Sequence, residues 1–121
     1  MEFLSSHSAE PTADRLESFL SAKGMKIFAR IDQAAEAAAV GLKLRPTILI
    51  LFGNPKGGTP LMEQFPNLAL DLPLKVLVWE EAGQVHVAFT SPEELRDRYQ
   101  LPITPFEPIP GLLKAALESG E

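Results

Sequence analysis

The sequence predicts an α+β fold: a single domain over residues 1–121 built on a mostly antiparallel sheet of about five strands, with helices packed on it. Three observations predict it. Helical and strand-like periodicities interleave through the first half. Two alternating runs, Leu74 to Glu80 and Val85 to Thr90, flank the turn Glu81-Ala82-Gly83-Gln84 as a hairpin would. After that meander the chain returns to helical signals. With 45% hydrophobic and 22% charged residues, the composition is that of a globular protein, and the length suffices for a core without staples.

Taken in order, Phe3 and Leu4 suggest a short edge strand within Met1 to Ser6. From Ser8 to Lys23, a capping Ser8 or Glu10, Pro11 in the first turn and Leu16, Phe19 and Leu20 at helical spacing predict a helix closed by Gly24. Met25 to Ile31 reads as a strand, with Met25, Ile27, Ala29 and Ile31 on one face and Lys26, Phe28 and Arg30 on the other. Asp32 caps an alanine-rich helix running through Val40, with Gly41 at its end.

Thr47 to Phe52 follows as a strand apolar enough to be buried on both faces. Thr59 and Pro60 then suit the N-cap and first turn of a short helix ended by Pro66, with Ala69 to Pro73 as a connection. In the strand from Leu74, residues Leu74, Val76 and Val78 face away from Lys75, Leu77 and Trp79. Ser91-Pro92-Glu93-Glu94 matches a capping box opening a helix to about Tyr99. Four prolines between 102 and 110 mark an extended segment, and Gly111 to Ser119 reads as a last amphipathic helix. Leu77 and Trp79 lie on the face opposite the valines, so a sheet with helices on one side needs a second cover; a homodimer would supply it.

Charge and cysteine content narrow the function classes. A net charge of −5 and no cluster of Lys and Arg argue against nucleic acid as partner. The absence of cysteine removes disulfides, thiol chemistry and cysteine metal sites. The first ten residues do not resemble a signal peptide and no apolar run approaches membrane-spanning length, so a soluble, cytoplasmic protein with no membrane partner is expected.

The stretch ILILFGNPKGGTP, Ile48 to Pro60, is the least ordinary. Gly53 and Gly58 have the four-residue gap of a P-loop, but Thr59-Pro60 stand where Lys and Ser or Thr belong, so a triphosphate cradle is excluded. What remains is a nest for a carboxylate or single phosphate, made of the N–H groups of Lys56, Gly57 and Gly58 with the Thr59 hydroxyl. The alternative is a tight turn whose glycines serve positive φ. Asp71, Lys75 and Glu80 are the charged residues nearest this core in sequence, beside Lys56, and serve either as site groups or as capping and solvated charges. Trp79 suits stacking on a ligand, or core or interface. His7 and His86 have no zinc-type spacing, and no nucleophile and histidine pair is evident.

The segments IDQAAEAAAVGLKLRPTILILFGNPKGGTPLM and LALDLPLKVLVWEEAGQVHVAF, and within them FGNPKGGTPLM and DLPLKVLVWE, resemble the bacterial and archaeal family called domain of unknown function 302. The resemblance spans nearly the whole chain. It implies a β-α-β(4)-α core resembling the TATA-binding-protein-like fold and association as dimers, with no settled activity; any cofactor is unknown. Its motifs cover Gly53, Asn54, Pro55, Lys56, Gly58, Thr59, Asp71, Leu72, Pro73, Lys75, Trp79 and Glu80.

The expectation is therefore a dimeric binding module for a small anionic or amphipathic ligand at the 53–59 loop. Its site residues are Asn54, Lys56, Gly57, Gly58, Thr59, Asp71, Lys75, Trp79 and Glu80, with no catalytic residue or metal ligand assigned. The alternatives are a structural or regulatory protein-interaction domain, and an enzyme using Asp71 or Glu80 as a base.

Overall fold

A computed structural model of the chain describes residues 1–118. The strands β1 (Glu2–Ser5), β2 (Lys26–Asp32), β3 (Thr47–Gly53), β4 (Leu74–Glu81) and β5 (Gln84–Phe89) form one sheet in the order β1-β5-β4-β3-β2, every neighbouring pair antiparallel. The helices are α1 (Ala9–Ala22), α2 (Gln33–Ala39), α3 (Pro55–Gln64), α4 (Pro92–Tyr99) and α5 (Ile109–Glu118), with a 3-10 turn at Pro66–Leu70. The fold is α+β, as the sequence predicts.

One face of the sheet carries the core. Ile48, Ile50 and Phe52 of β3, Val76 and Val78 of β4, and Val85 and Val87 of β5 meet Leu16 and Leu20 of α1, Leu95 of α4 and Leu113 of α5. Burying each such side chain stabilises the fold by about 1.5–3 kcal/mol. Polar contacts fix how the helices sit. In the buried join between β1 and α1, the Ser5 and Thr12 hydroxyls lie 2.6 Å apart. Arg30 of β2 donates to Asp14 at 2.6 Å and Glu17 at 2.7 Å, carboxylates three residues apart on one face of α1.

The other face is uncovered by helices of the core layer. Across all five strands runs the row Glu2, Ala88, Leu77, Leu49, Ile31, and beside it Leu4, His86, Trp79 and Thr47. The expected division of β4 between Val76 and Val78 on one side and Leu77 and Trp79 on the other holds. So do the edge strand at Phe3 and Leu4, the hairpin and the capping box at Ser91. Ala82 (φ 52°) and Gly83 (φ 79°) form the two-residue hairpin turn with φ positive at both positions, which matches the twist of the flanking strands.

Several expectations need correction. β3 is fully buried on one side only: Leu49 and Leu51 are half-buried on the open face. In β2 the register shifts between Ile27 and Ala29, so Ile27 pairs with Phe52 toward the helices whereas Ala29 and Ile31 face the other way with Leu51 and Leu49. α3 starts at Pro55, not Pro60, because the Asn54 side chain accepts the Lys56 amide at 3.0 Å and Pro55 fits the first helical position. Thr59 is therefore not an N-cap, and Pro60 stands inside the helix, unable to donate to the carbonyl four residues earlier. α5 begins at Ile109, two residues before Gly111, with Pro110 in its first turn; the expected end at Ser119 lies outside the described residues. α2 lies close to β3 without any of its residues becoming fully buried.

Candidate functional site

Where β3 ends at Gly53, β2 and β4 begin, because all three strands run antiparallel to their neighbours. At this end of the sheet α3 follows β3 directly after Asn54, and the Leu72-Pro73 segment and the start of α5 line the same hollow. The result is a half-open pocket of about 320 Å³. Its walls are Met25 and Phe28 from β2 and its approach, Gly53 to Pro55, Met62 of α3, Leu72 to Leu74, and Phe106 and Ile109 at α5. Among the lining side chains only Asn54 and Thr59 are polar. Volume and lining fall in the range of small-molecule sites.

Each wall has a local cause. The bulge in β2 turns Phe28 out of strict alternation, and the ring comes within 3.8 Å of where a β-carbon on Gly53 would lie. Gly58 is buried in α3, where an added β-carbon would lie 3.6 Å from Leu72 Cδ1 and 3.9 Å from Met62 Cε. The small residue keeps the floor of the pocket open. Phe106 has φ 69°, a left-handed backbone that bulky side chains seldom adopt, and the segment around it is held by the Ile109 amide donating to the Phe106 carbonyl at 3.0 Å.

The sequence-predicted residues divide between this pocket and other places. Asn54, Gly57, Gly58 and Thr59 line it. Lys56 stands exposed on the first turn of α3 and makes no ion pair among the described residues. The amides proposed as an anion nest are engaged: Lys56 N–H donates to Asn54 Oδ1 at 3.0 Å, and those of Gly57 and Gly58 to the Asn54 carbonyl at 3.0 and 2.9 Å. Nor do these glycines serve positive φ, which is confined to Gly24, Gly41 and Gly83 among the described glycines.

Asp71 stands next to the pocket wall but turns away from it, accepting from Arg98 at 2.8 Å and from the Tyr99 hydroxyl. Partial burial pushes its carboxyl up, yet the bonds from Tyr99 and Arg98 and the charges of Arg98 and Lys75 outweigh this and hold it below the ordinary value. The same bond pushes the Tyr99 phenol up. This tie fastens the segment before β4 to α4. Lys75 is exposed and lines a shallow cleft on the open sheet face with Leu49, Leu77 and Ala88.

Trp79 and Glu80 lie at the far end of β4, about 20 Å along the strand from Leu74. Trp79 stacks on His86 at 4.1 Å between centroids, and His86 Nδ1 lies 2.7 Å from Glu2 Oε1. Glu80 Oε1 accepts the Ala9 amide at 3.0 Å. The pocket residues outside the set assigned from sequence, among them Met25, Phe28, Met62, Leu72, Phe106 and Ile109, are apolar; in a linear pattern they are indistinguishable from core.

The comparisons with known proteins agree with this architecture. The solved structure of an uncharacterized conserved DUF302 protein from Bacillus stearothermophilus superposes with a TM-score of 0.82 over 97% of this chain and 94% of its own, at 21% identity, a likeness of fold. Two curated relatives are 41% identical over 98 residues: fluoride-specific ion channel FluC 1 of Brucella suis biovar 1 and FluC 2 of Brucella melitensis biotype 1. The alignment takes in 80% of this chain but only 39% and 36% of those proteins, so the chain spans less than two fifths of their length. Residues 1–119 match the family model described as domain of unknown function DUF302, and on that match the chain belongs to the DUF302 family.

Proposed function

We propose that the chain is a dimeric binding module for a small amphipathic molecule, taken up at the pocket where β3 meets α3. The observation that carries this reading is the pocket itself: about 320 Å³, half-open, and lined almost wholly by apolar groups, with Asn54 and Thr59 as its polar points. Its two methionines, Met25 and Met62, are flexible side chains suited to moulding around a guest. The dimer rests on the open sheet face, where Leu49, Leu51 and Leu77 stand half-buried beside the more exposed Leu4.

The reading is tested by a thermal-shift screen of amphipathic metabolites against the wild type and Gly58→Leu, whose larger side chain would occupy the floor of the pocket. Compounds that raise the melting temperature of the wild type and not of the variant support it. Equal responses to every compound would remove the pocket as the site. Circular dichroism establishes that the variant is folded.

The Brucella relatives favour a second reading for the open face, as a surface through which the domain joins another protein or domain. Ion conduction is named for those whole proteins, of which the aligned part is the smaller share. Among the described residues here, no helix is long and apolar enough to cross a membrane. Recovery of the chain with a stoichiometric protein partner, lost in Leu77→Glu, would support this reading over self-association.

A further inference from the structure

We infer, resting on the reading that the pocket binds a small molecule, that its ligand is a medium-chain monocarboxylate whose hydrocarbon tail fills the hollow and whose carboxylate meets Asn54, Thr59 and Lys56. Size sets the tail. A hollow of about 320 Å³ stands at the small end of ligand-pocket sizes, which suits a hydrocarbon tail of medium length. Met62, Leu72, Phe106 and Ile109 offer that chain no hydrogen-bond partner.

The head group follows from what stands at the rim. Asn54 spends its side-chain oxygen on the Lys56 amide, which leaves its two amide N–H donors without a protein partner among the described residues, and the Thr59 hydroxyl is likewise unpartnered. Lys56, two residues on from Asn54 on the exposed first turn of α3, has no ion pair among the described residues. A second cation is close: Lys26 pairs in register with Gly53 and lies 5.0 Å from the centroid of Phe28, a lining ring.

Unspent donors and cations call for an acceptor that carries negative charge. No lining residue is acidic. Of the three carboxylates next in sequence to the lining, Asp71 is held by Arg98 and Tyr99, Glu107 acts on Arg96, and Glu63 is exposed on α3. Since the backbone amides of the first helical turn are engaged within that turn and the chain as a whole is acidic, a polyphosphate finds too little positive charge, whereas a single carboxylate finds enough.

The test is calorimetry at low salt with sodium decanoate, below its micelle concentration, and with 1-decanol. Decanoate is expected to bind the wild type about fivefold more tightly than decanol. Lys56→Gln, an exposed substitution, should remove most of that difference and leave decanol unchanged. Equal affinities for the acid and the alcohol, unaffected by Lys56→Gln, would overturn the carboxylate assignment while leaving the pocket reading in place. Decanoate binding that survives Gly58→Leu, or methyl shifts at Met1 without shifts at Met25 and Met62, would place the acid elsewhere and overturn it as well. Failure of both compounds, and of every other amphiphile tried, would bring down the pocket reading and this inference together.

Discussion

Glu80 reaches from the end of β4 to the first turn of α1, where its Oε1 accepts the Ala9 amide at 3.0 Å across 71 positions of sequence. The residue in the N-cap position, Ser8, makes no side-chain cap bond, so the cap is supplied by a distant strand. A carboxylate there also faces the positive end of the helix dipole. Glu80→Ala is expected to lower unfolding free energy by about 1 kcal/mol, with Glu80→Gln milder, in urea denaturation monitored by circular dichroism. An unchanged midpoint for Glu80→Ala would deny the cap, and retained ligand responses are expected in both variants because the residue lies far from the pocket.

The tie between Asp71, Arg98 and Tyr99 predicts a pH dependence of definite sign. The folded carboxyl is held below its ordinary value of 3.8, so the folded state favours the ionised form. Its contribution to stability is fully present above that value and is lost as the pH falls through the lower folded one. The stability difference between wild type and Asp71→Asn should thus be constant at neutral pH and shrink below about pH 4. A difference that grows on acidification would contradict the assignment.

Gly57 and Gly58 separate a bend from a helix. Both lie within α3 and neither has positive φ; a β-carbon at Gly57 would meet nothing within 4 Å. Gly57→Ala is therefore expected to stabilise the protein by about 0.5–1 kcal/mol, read from thermal or urea unfolding. Loss of stability would mean that the backbone there needs the freedom of glycine.

On the open face, Leu49 and Leu77 are cross-strand partners at the middle of the row that crosses the sheet. A charge placed there is expected to separate copies: the wild type should sediment as a dimer at micromolar concentration and Leu77→Glu as a folded monomer. A wild type that sediments as a monomer at that concentration would remove the dimer from the account.

Much of the fold was legible because it rests on local rules. The alternation of Val76 and Val78 against Leu77 and Trp79, the Asp32 cap and the Ser91 capping box are set by neighbouring residues, and each is found as the pattern implies. The departures arise where tertiary contacts choose among local options. Asn54 and Thr59 both suit an N-cap, and the first prevails because its side chain reaches the Lys56 amide while Pro55 already fits the helix. The register shift at Phe28 has no marker in the sequence, yet it sends Ala29 and Ile31 to the open face.

The site was legible only on the side formed by residues 54–59. Its remaining walls come from Met25, Met62, Leu72, Phe106 and Ile109, apolar residues from four separate stretches of chain whose convergence is a property of the topology. Conversely, Asp71 and Glu80 carry the residue types of chemistry but are engaged in holding α4 and α1 in place.

The central claim, that a small amphipathic guest enters the pocket beneath α3, is tested most directly by methyl NMR of the methionines. The chain has three, of which Met25 and Met62 line the pocket while Met1 lies on the open sheet face. Titration with sodium decanoate is expected to shift the Met25 and Met62 methyl resonances in a saturable manner and leave Met1 in place. Saturation without movement of Met25 or Met62 would contradict the account.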